Sequence, residues 1–230
     1  MKLSIIIPVY NEARTVGEMI RRVKNADLPG IEKEIIAVDD GSTDGTREIL
    51  EKTRGIKNIF HKENTGKGGA VRTGFSEASG DFLIIQDADL EYDPRDYQAL
   101  LQPLVEGCAD VVFGSRFLTG KPHRVLYFHH YLANVFLTFL SNLFTNLNLT
   151  DMETGYKVFS KEVYKKLAPQ LQSKRFGIEP ELTARAAKLG VRIYEVGISY
   201  YGRGYRAGKK INWEDGLAAI WHIIKFNIFS

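Results

Sequence analysis

The 230-residue sequence has a single cysteine, Cys108, so no intramolecular disulfide can form. That excludes a disulfide-stabilised secreted module and points to a reducing compartment, with Cys108 expected in the core. A strong charge surplus is missing too. Thirty-one Lys and Arg against 28 Asp and Glu leave a net charge of +3, too little to argue for a nucleic-acid partner. No internal repeat or low-complexity segment occurs. The apolar burst Leu3–Val9 is shorter than a signal-peptide core and reads as a buried first strand. Two glycine motifs are absent as well. After Gly66 and Gly68 the third glycine of a dinucleotide fingerprint is replaced by Val71, and no Lys-Ser/Thr pair completes a phosphate loop. The acidic run Asp87, Asp89, Glu91, Asp93 has Tyr92 where a calcium loop needs glycine.

What is present is an alternation of β-branched runs and helical patterns. Strands are expected at 3–9, 34–38, 56–60, 82–86 and 110–113, with helices at 15–24, 46–53, 68–78 and 96–106. Such βαβ units build a mostly parallel sheet, an α/β fold with ligands at the carboxyl ends of the strands. Polar clusters fall at those ends: Asn11-Glu12, Asp39-Asp40-Gly41-Ser42, Asn64 to Gly69 and Asp87-Ala88-Asp89. Later come a helix near 180–188 and a strand near 192–199.

Asp87 and Asp89 stand two apart at a strand end, so both carboxylates face one side and suit a hard cation, Mg²⁺ or Mn²⁺, bridging two phosphates. The bland alternative is a solvated acidic loop, in which the two charges repel. The segment from Asp39 to Thr46 reads as turn and helix-cap chemistry. Asp40 is the residue that reading explains least, and it is expected to accept hydrogen bonds from a base or ribose. The glycine-rich Asn64–Gly69 opens a helix, where backbone amides can face an anion.

Together these motifs, with Ile5 to Glu12 and Gly114-Ser115-Arg116, occur in the order found in family 2 glycosyltransferases. Over residues 2 to about 210 the sequence most resembles dolichol-phosphate mannosyltransferases and bacterial polyprenyl-phosphate glycosyltransferases. The resemblance implies a GT-A (Rossmann-like) fold, a nucleotide-sugar donor of the GDP-mannose or UDP-glucose type, a divalent metal and inversion at the anomeric carbon. By position it assigns Pro8, Tyr10, Glu12 and Asp40 to the nucleoside. Lys67, Asp87, Ala88 and Asp89 go to the diphosphate side, with Asp87, Asp89 and Glu91 at the metal. Arg116 would approach a donor or acceptor phosphate. Arg203 and Lys209 match the ends of a late diphosphate-binding segment, although Arg206 and Gly208 replace its glycine and serine.

The acceptor is open at this point. A sugar hydroxyl, as in surface-polysaccharide synthesis, needs a general base, for which Glu179 or Glu181 are candidates; both equally suit the start of a helix. A lipid phosphate is already nucleophilic. From Val125 to Thr150 no residue is charged, yet Asn134, Thr138, Ser141, Asn142 and Thr145 interrupt the stretch at helical spacing. An amphipathic helix at a membrane surface or partner is favoured over a core helix or a true span. Val158-Phe159 and the terminal run Trp213, Leu217, Ile220, Trp221, Ile224, Phe226, Ile228, Phe229 also suit an interface or, equally, the core. The expectation is one domain with no transmembrane segment. Residues 1–118 would bind donor and residues 119–230 would face the acceptor, polyprenyl (dolichyl or undecaprenyl) phosphate, at the cytoplasmic membrane face. A noncatalytic nucleotide-sugar-binding module is the remaining alternative.

The small net charge conceals an asymmetry. Residues 1–156 contain 17 Lys and Arg against 22 Asp and Glu, and residues 157–230 contain 14 against 6. The acidic part carries the candidate metal ligands, while the basic part suits diphosphates or anionic lipid.

Overall fold

Residues Leu3 to Ile7 are wholly buried, because the strand they form lies inside a sheet covered on both faces, where a continuous apolar run replaces alternation. The computed structural model describes residues 1–118, 120, 122–125, 127–202 and 213–229, with side chains of the last segment described from 216. Seven strands form one sheet in the order β3-β2-β1-β4-β6-β5-β7. They are β1 (Lys2–Val9), β2 (Glu32–Asp39), β3 (Lys57–Phe60), β4 (Phe82–Ile85), β5 (Val111–Ser115), β6 (Lys157–Ser160) and β7 (Ile193–Gly197). All pairings are parallel except those of β6, which runs antiparallel to both β4 and β5.

The helices are α1 (Val16–Asn25), α2 (Thr46–Lys52), α3 (Lys67–Glu77), α4 (Tyr97–Val105), α5 (Phe128–Thr145), α6 (Lys161–Leu167), α7 (Ile178–Lys188) and α8 (Trp213–Ile228). Alternate residues of β1 serve opposite layers. Leu3, Ile5, Ile7 and Val9 pack with α1 and α4, and Ile6 packs with Val71 and Phe75 of α3 and with α6 and α7. The architecture is the α/β, mostly parallel arrangement the sequence predicts. β6 is the departure: Val158 and Phe159, expected at an interface, are fully buried in the middle of the sheet. Cys108 is likewise not a core residue. It is exposed in the turn after α4, next to Gly107 in the left-handed region at φ +71°.

α5 is inverted relative to an ordinary surface helix. Thr138 and Ser141 are 4% and 1% exposed, whereas Phe139 and Leu143 are 63% and 67% exposed. Its polar stripe has inward partners: Thr138 Oγ1 accepts the Met152 N–H at 3.1 Å, and Asn142 bonds both the N–H and the carbonyl of Leu149. α8 packs beside it through Ala219 and Ile223 and buries Phe226 beneath the Arg185 guanidinium of α7, leaving Leu217, Trp221 and Phe229 exposed. Among the described residues no helix is long and apolar enough to cross a membrane.

Candidate active site

Parallel strands put the carboxyl ends of β1, β2, β4, β5 and β7 on one rim, and the antiparallel β6 brings its amino end there. The segment 151–157 therefore arrives between Asp87 and Arg116. The tight fit shows at Gly155, whose N–H bonds the Tyr92 hydroxyl at 2.9 Å and where a Cβ would strike the Asp87 carboxylate.

The first two loops of the rim are knitted to each other. Asn11, at φ +52°, gives its N–H to Ser42 Oγ and accepts from the Thr43 N–H, both at 2.9 Å, and the Glu12 N–H bonds Thr46 Oγ1 at 2.9 Å. Tyr10 is exposed above this corner, with Pro8 half-buried in β1 beyond the last β1–β4 register pair, Ile6 with Ile85. Asp40 has a different task from the one expected. It is buried, and its oxygens accept the Thr65 N–H (2.9 Å), the Thr65 hydroxyl (2.7 Å) and the Gly66 N–H (2.7 Å), with His61 Nδ1 at 2.7 Å. The amides of the glycine-rich loop do face an anion, and that anion is Asp40 itself.

The clamp fixes the start of α3. Gly66, at φ +84°, and Gly68 lie against the backbone of Ser173 and Lys174, whose carbonyls a Cβ at either position would strike. Lys67, between them, is thereby directed into the site. Its Nζ lies 2.7 Å from Asp87 Oδ1 and 2.8 Å from Glu179 Oε1. Burial alone would lower the ammonium pKa, but the two carboxylates outweigh it and hold the group raised and charged.

Asp89 Oδ1 accepts the Glu91 N–H at 3.2 Å across Leu90, a non-glycine residue at φ +66°. Such backbone strain costs on the order of 1–3 kcal/mol and concentrates at functional sites. Glu91 Oε2 accepts the Tyr200 hydroxyl at 2.8 Å. Among the described residues no three His, Cys, Asp or Glu side chains are grouped to enclose a cation by themselves. Asp87 and Asp89 nevertheless fit Mg²⁺ or Mn²⁺ shared with a diphosphate, since such ions are held by one or two carboxylates and substrate oxygens. The Lys67 ammonium at Asp87 is a stand-in cation at that place.

Arg116 is half-buried against the fully buried Asp151, with Nε and a terminal nitrogen each 2.7 Å from its oxygens and Asn134 Oδ1 at 3.1 Å. Its guanidinium also lies over the Tyr200 ring, 5.3 Å from the centroid.

Glu179 and Glu181 part company because residues two apart on a helix do not share a face. Glu179 turns to Lys67, and its Oε2 is buried without a hydrogen-bond partner. Glu181 accepts the N–H groups of Gln172 and Ser173 and pairs with Arg185 at 2.8 Å. Its carboxylate is therefore committed to holding the 172–173 loop.

Sequence reasoning overlooked Glu153 and Lys157. Glu153 Oε1 is buried and unpartnered, and burial together with the Glu179 charge pushes this carboxyl up to about 7. Lys157 is sealed inside, bonding the Met152 carbonyl at 2.9 Å, with burial pulling its pKa down to about 8. The available signal was the return of charge at Asp151 and Glu153 after the uncharged stretch. Arg203 and Lys209 lie outside the described residues.

The glycosyl transferase family 2 profile matches residues 4–168. A UDP-N-acetylglucosamine–dolichyl-phosphate N-acetylglucosaminyltransferase of Methanococcus voltae is 28% identical over 239 residues, covering 96% of this chain and 94% of that protein. A dolichol-phosphate mannosyltransferase of Pyrococcus furiosus is 39% identical over 123 residues, covering 52% of this chain and 34% of that protein. Among solved structures, glucosyl-3-phosphoglycerate synthase from Mycobacterium tuberculosis, crystallised with Mn²⁺, UDP and glucosyl-3-phosphoglycerate, superposes with a TM-score of 0.75 at 21% identity. The match covers 98% of this chain and 78% of that one, and it establishes a shared GT-A fold. The chain belongs to glycosyl transferase family 2 and is a glycosyltransferase similar to dolichyl-phosphate sugar transferases.

Proposed function

We propose that the protein moves a hexose from a nucleotide sugar, of the GDP-mannose or UDP-glucose type, onto a polyprenyl phosphate at a membrane surface. The observation that carries this reading is α5, which turns its hydroxyls and amides inward and presents Phe128, Phe136, Phe139 and Leu143 outward beside the exposed Leu217 and Trp221 of α8. An exposed apolar face of this size marks an interaction surface. The Arg and Lys residues at 203, 206, 209 and 210 precede α8 in sequence and supply charge complementary to anionic headgroups.

In this reading Pro8, Tyr10 and Glu12 hold the nucleoside, while Asp87 and Asp89 hold Mg²⁺ or Mn²⁺ with the diphosphate and Ala88 lies against it. Such an ion supplies electrostatic stabilisation as negative charge grows on the leaving nucleoside diphosphate. Lys67, Arg203 and Lys209 add fixed positive charge, and Arg116, oriented by Asp151, faces the phosphate of the acceptor. Glu91 supports the Asp89 turn through Tyr200. A phosphate nucleophile needs no base, which agrees with Glu181 being engaged with the backbone of Gln172 and Ser173 and with Arg185.

The reading is tested with radiolabelled GDP-mannose and UDP-glucose, Mn²⁺ and short-chain prenyl phosphates. Label should pass into the organic phase as a prenyl-phosphate sugar. Transfer to carbohydrate hydroxyls alone, abolished by Glu179→Gln, would replace it with the second reading, a hydroxyl acceptor with Glu179 as base, which the unpartnered Glu179 Oε2 favours.

A further inference from the structure

Lys67 joins two carboxylates from distant parts of the chain. Asp87 lies just after β4 and Glu179 lies in the first turn of α7, with Lys67 Nζ 2.7 Å and 2.8 Å from their respective oxygens and its side chain 16% exposed. The backbone beneath it has little freedom, being pinned by Asp40 to the amides of Thr65 and Gly66 and pressed through Gly66 and Gly68 onto residues 173 and 174. Only the four-carbon arm can move. Glu179 keeps a second oxygen buried and unpartnered, so the Lys67 ammonium is its one ion pair among the described residues.

We propose that Lys67 is an exchangeable counter-cation that makes the state of Glu179 depend on donor arrival. Before the donor binds, Lys67 ties Asp87 to Glu179. With a divalent cation and a nucleoside diphosphate bound, Asp87 would serve the cation and would no longer hold the Lys67 ammonium. The arm then swings onto the diphosphate, its new anionic partner, and Glu179 is freed. The site thereby frees the Glu179 carboxylate only when the donor is seated. This rests on the reading that Asp87 and Asp89 hold the metal.

The electrostatics give the proposal an unusual sign. A residue that merely helps to build the metal site would weaken metal binding when removed, whereas a competitor for Asp87 strengthens it. Calorimetric titration with Mn²⁺ alone, and with GDP or UDP at saturating Mn²⁺, separates the two for the wild type, Lys67→Met, Glu179→Gln and Asp89→Asn, with folding verified by circular dichroism. Lys67→Met should bind Mn²⁺ alone about tenfold more tightly than the wild type and the nucleoside diphosphate about tenfold more weakly. Glu179→Gln, which removes one anchor of the ammonium and leaves Asp87, should tighten diphosphate binding severalfold; it decides the matter if Lys67→Met does not fold. Unchanged or weaker Mn²⁺ binding in folded Lys67→Met overturns the proposal, as does unchanged diphosphate binding in Glu179→Gln. If neither Mn²⁺ nor Mn²⁺ with a nucleoside diphosphate binds the wild type better than Asp89→Asn, the metal reading itself fails and the proposal with it.

Discussion

Arg116 and Asp151 form a two-pronged ion pair inside the protein, 35 residues apart in sequence, with Asp151 wholly buried and both N–O distances 2.7 Å. The pair joins the end of β5 to the loop that feeds β6. It thereby sets the position of the segment carrying Glu153 and Gly155. Removing one member leaves the other as an uncompensated buried charge, a cost of about 3–5 kcal/mol. Asp151→Asn should lower the denaturant midpoint accordingly in urea unfolding, with an unchanged slope. A loss below about 1 kcal/mol would mean that solvent or another partner replaces the aspartate.

The glycine-rich loop gives a second prediction. Alanine is ordinarily a better helix former than glycine, yet Gly68→Ala in α3 should destabilise because its Cβ would strike the Ser173 carbonyl. Gly66→Ala should cost more, since φ +84° adds backbone strain to the clash with Lys174. Thermal unfolding should rank Gly66→Ala below Gly68→Ala and both below the wild type, with losses of about 1–3 kcal/mol.

Glu153 gives a dependence on pH. Its carboxyl is pushed from the ordinary 4.5 up to about 7, first by burial and then by the neighbouring Glu179 charge. Between those values the folded chain retains a proton that the unfolded chain has released. The contribution of this group therefore favours folding least above about pH 7 and imposes no penalty below about 4.5. Glu153→Gln removes that dependence. The difference in melting temperature, variant minus wild type, should rise from pH 4.5 to 7 and level off beyond. A difference constant across the range would contradict the assignment.

Most of the sheet is legible in the sequence because its strands are apolar on both faces and end in polar clusters. The expected 3–9 and 82–86 became Lys2–Val9 and Phe82–Ile85. β6 was not legible. Its four residues, Lys157–Ser160, are too few to show a period, and its place between β4 and β5 is fixed by pairing with strands far away in the chain. The spacing of Asp87 and Asp89 marks them in the sequence as candidates for one cation. The engagement of Asp40 with the 65–66 loop was not, because a strand-end aspartate bonding a loop 25 residues on leaves no local pattern. Amphipathicity located α5, and its outward apolar face agrees with the surface helix favoured over a core helix. Periodicity states that two faces differ, and the partners waiting at Arg116, Leu149 and Met152 decide which one turns inward.

That orientation yields a further prediction. Phe139 and Leu143 are mostly exposed, so a double substitution to serine should change stability by only about 0.5 kcal/mol or less per site. Sedimentation with anionic phosphatidylglycerol vesicles should show the wild type bound and the variant largely in the supernatant. Equal partitioning of the two proteins would remove this face from membrane binding.

The central claim is tested most directly by one paired measurement: the rate at which radiolabelled hexose from GDP-mannose or UDP-glucose enters the organic phase with a prenyl phosphate and Mn²⁺, in the wild type and in Asp89→Asn. The account predicts a prenyl-phosphate-linked sugar from the wild type and a rate at least about 100-fold lower in the variant. A variant as active as the wild type, or no lipid-linked product with either donor, would contradict it.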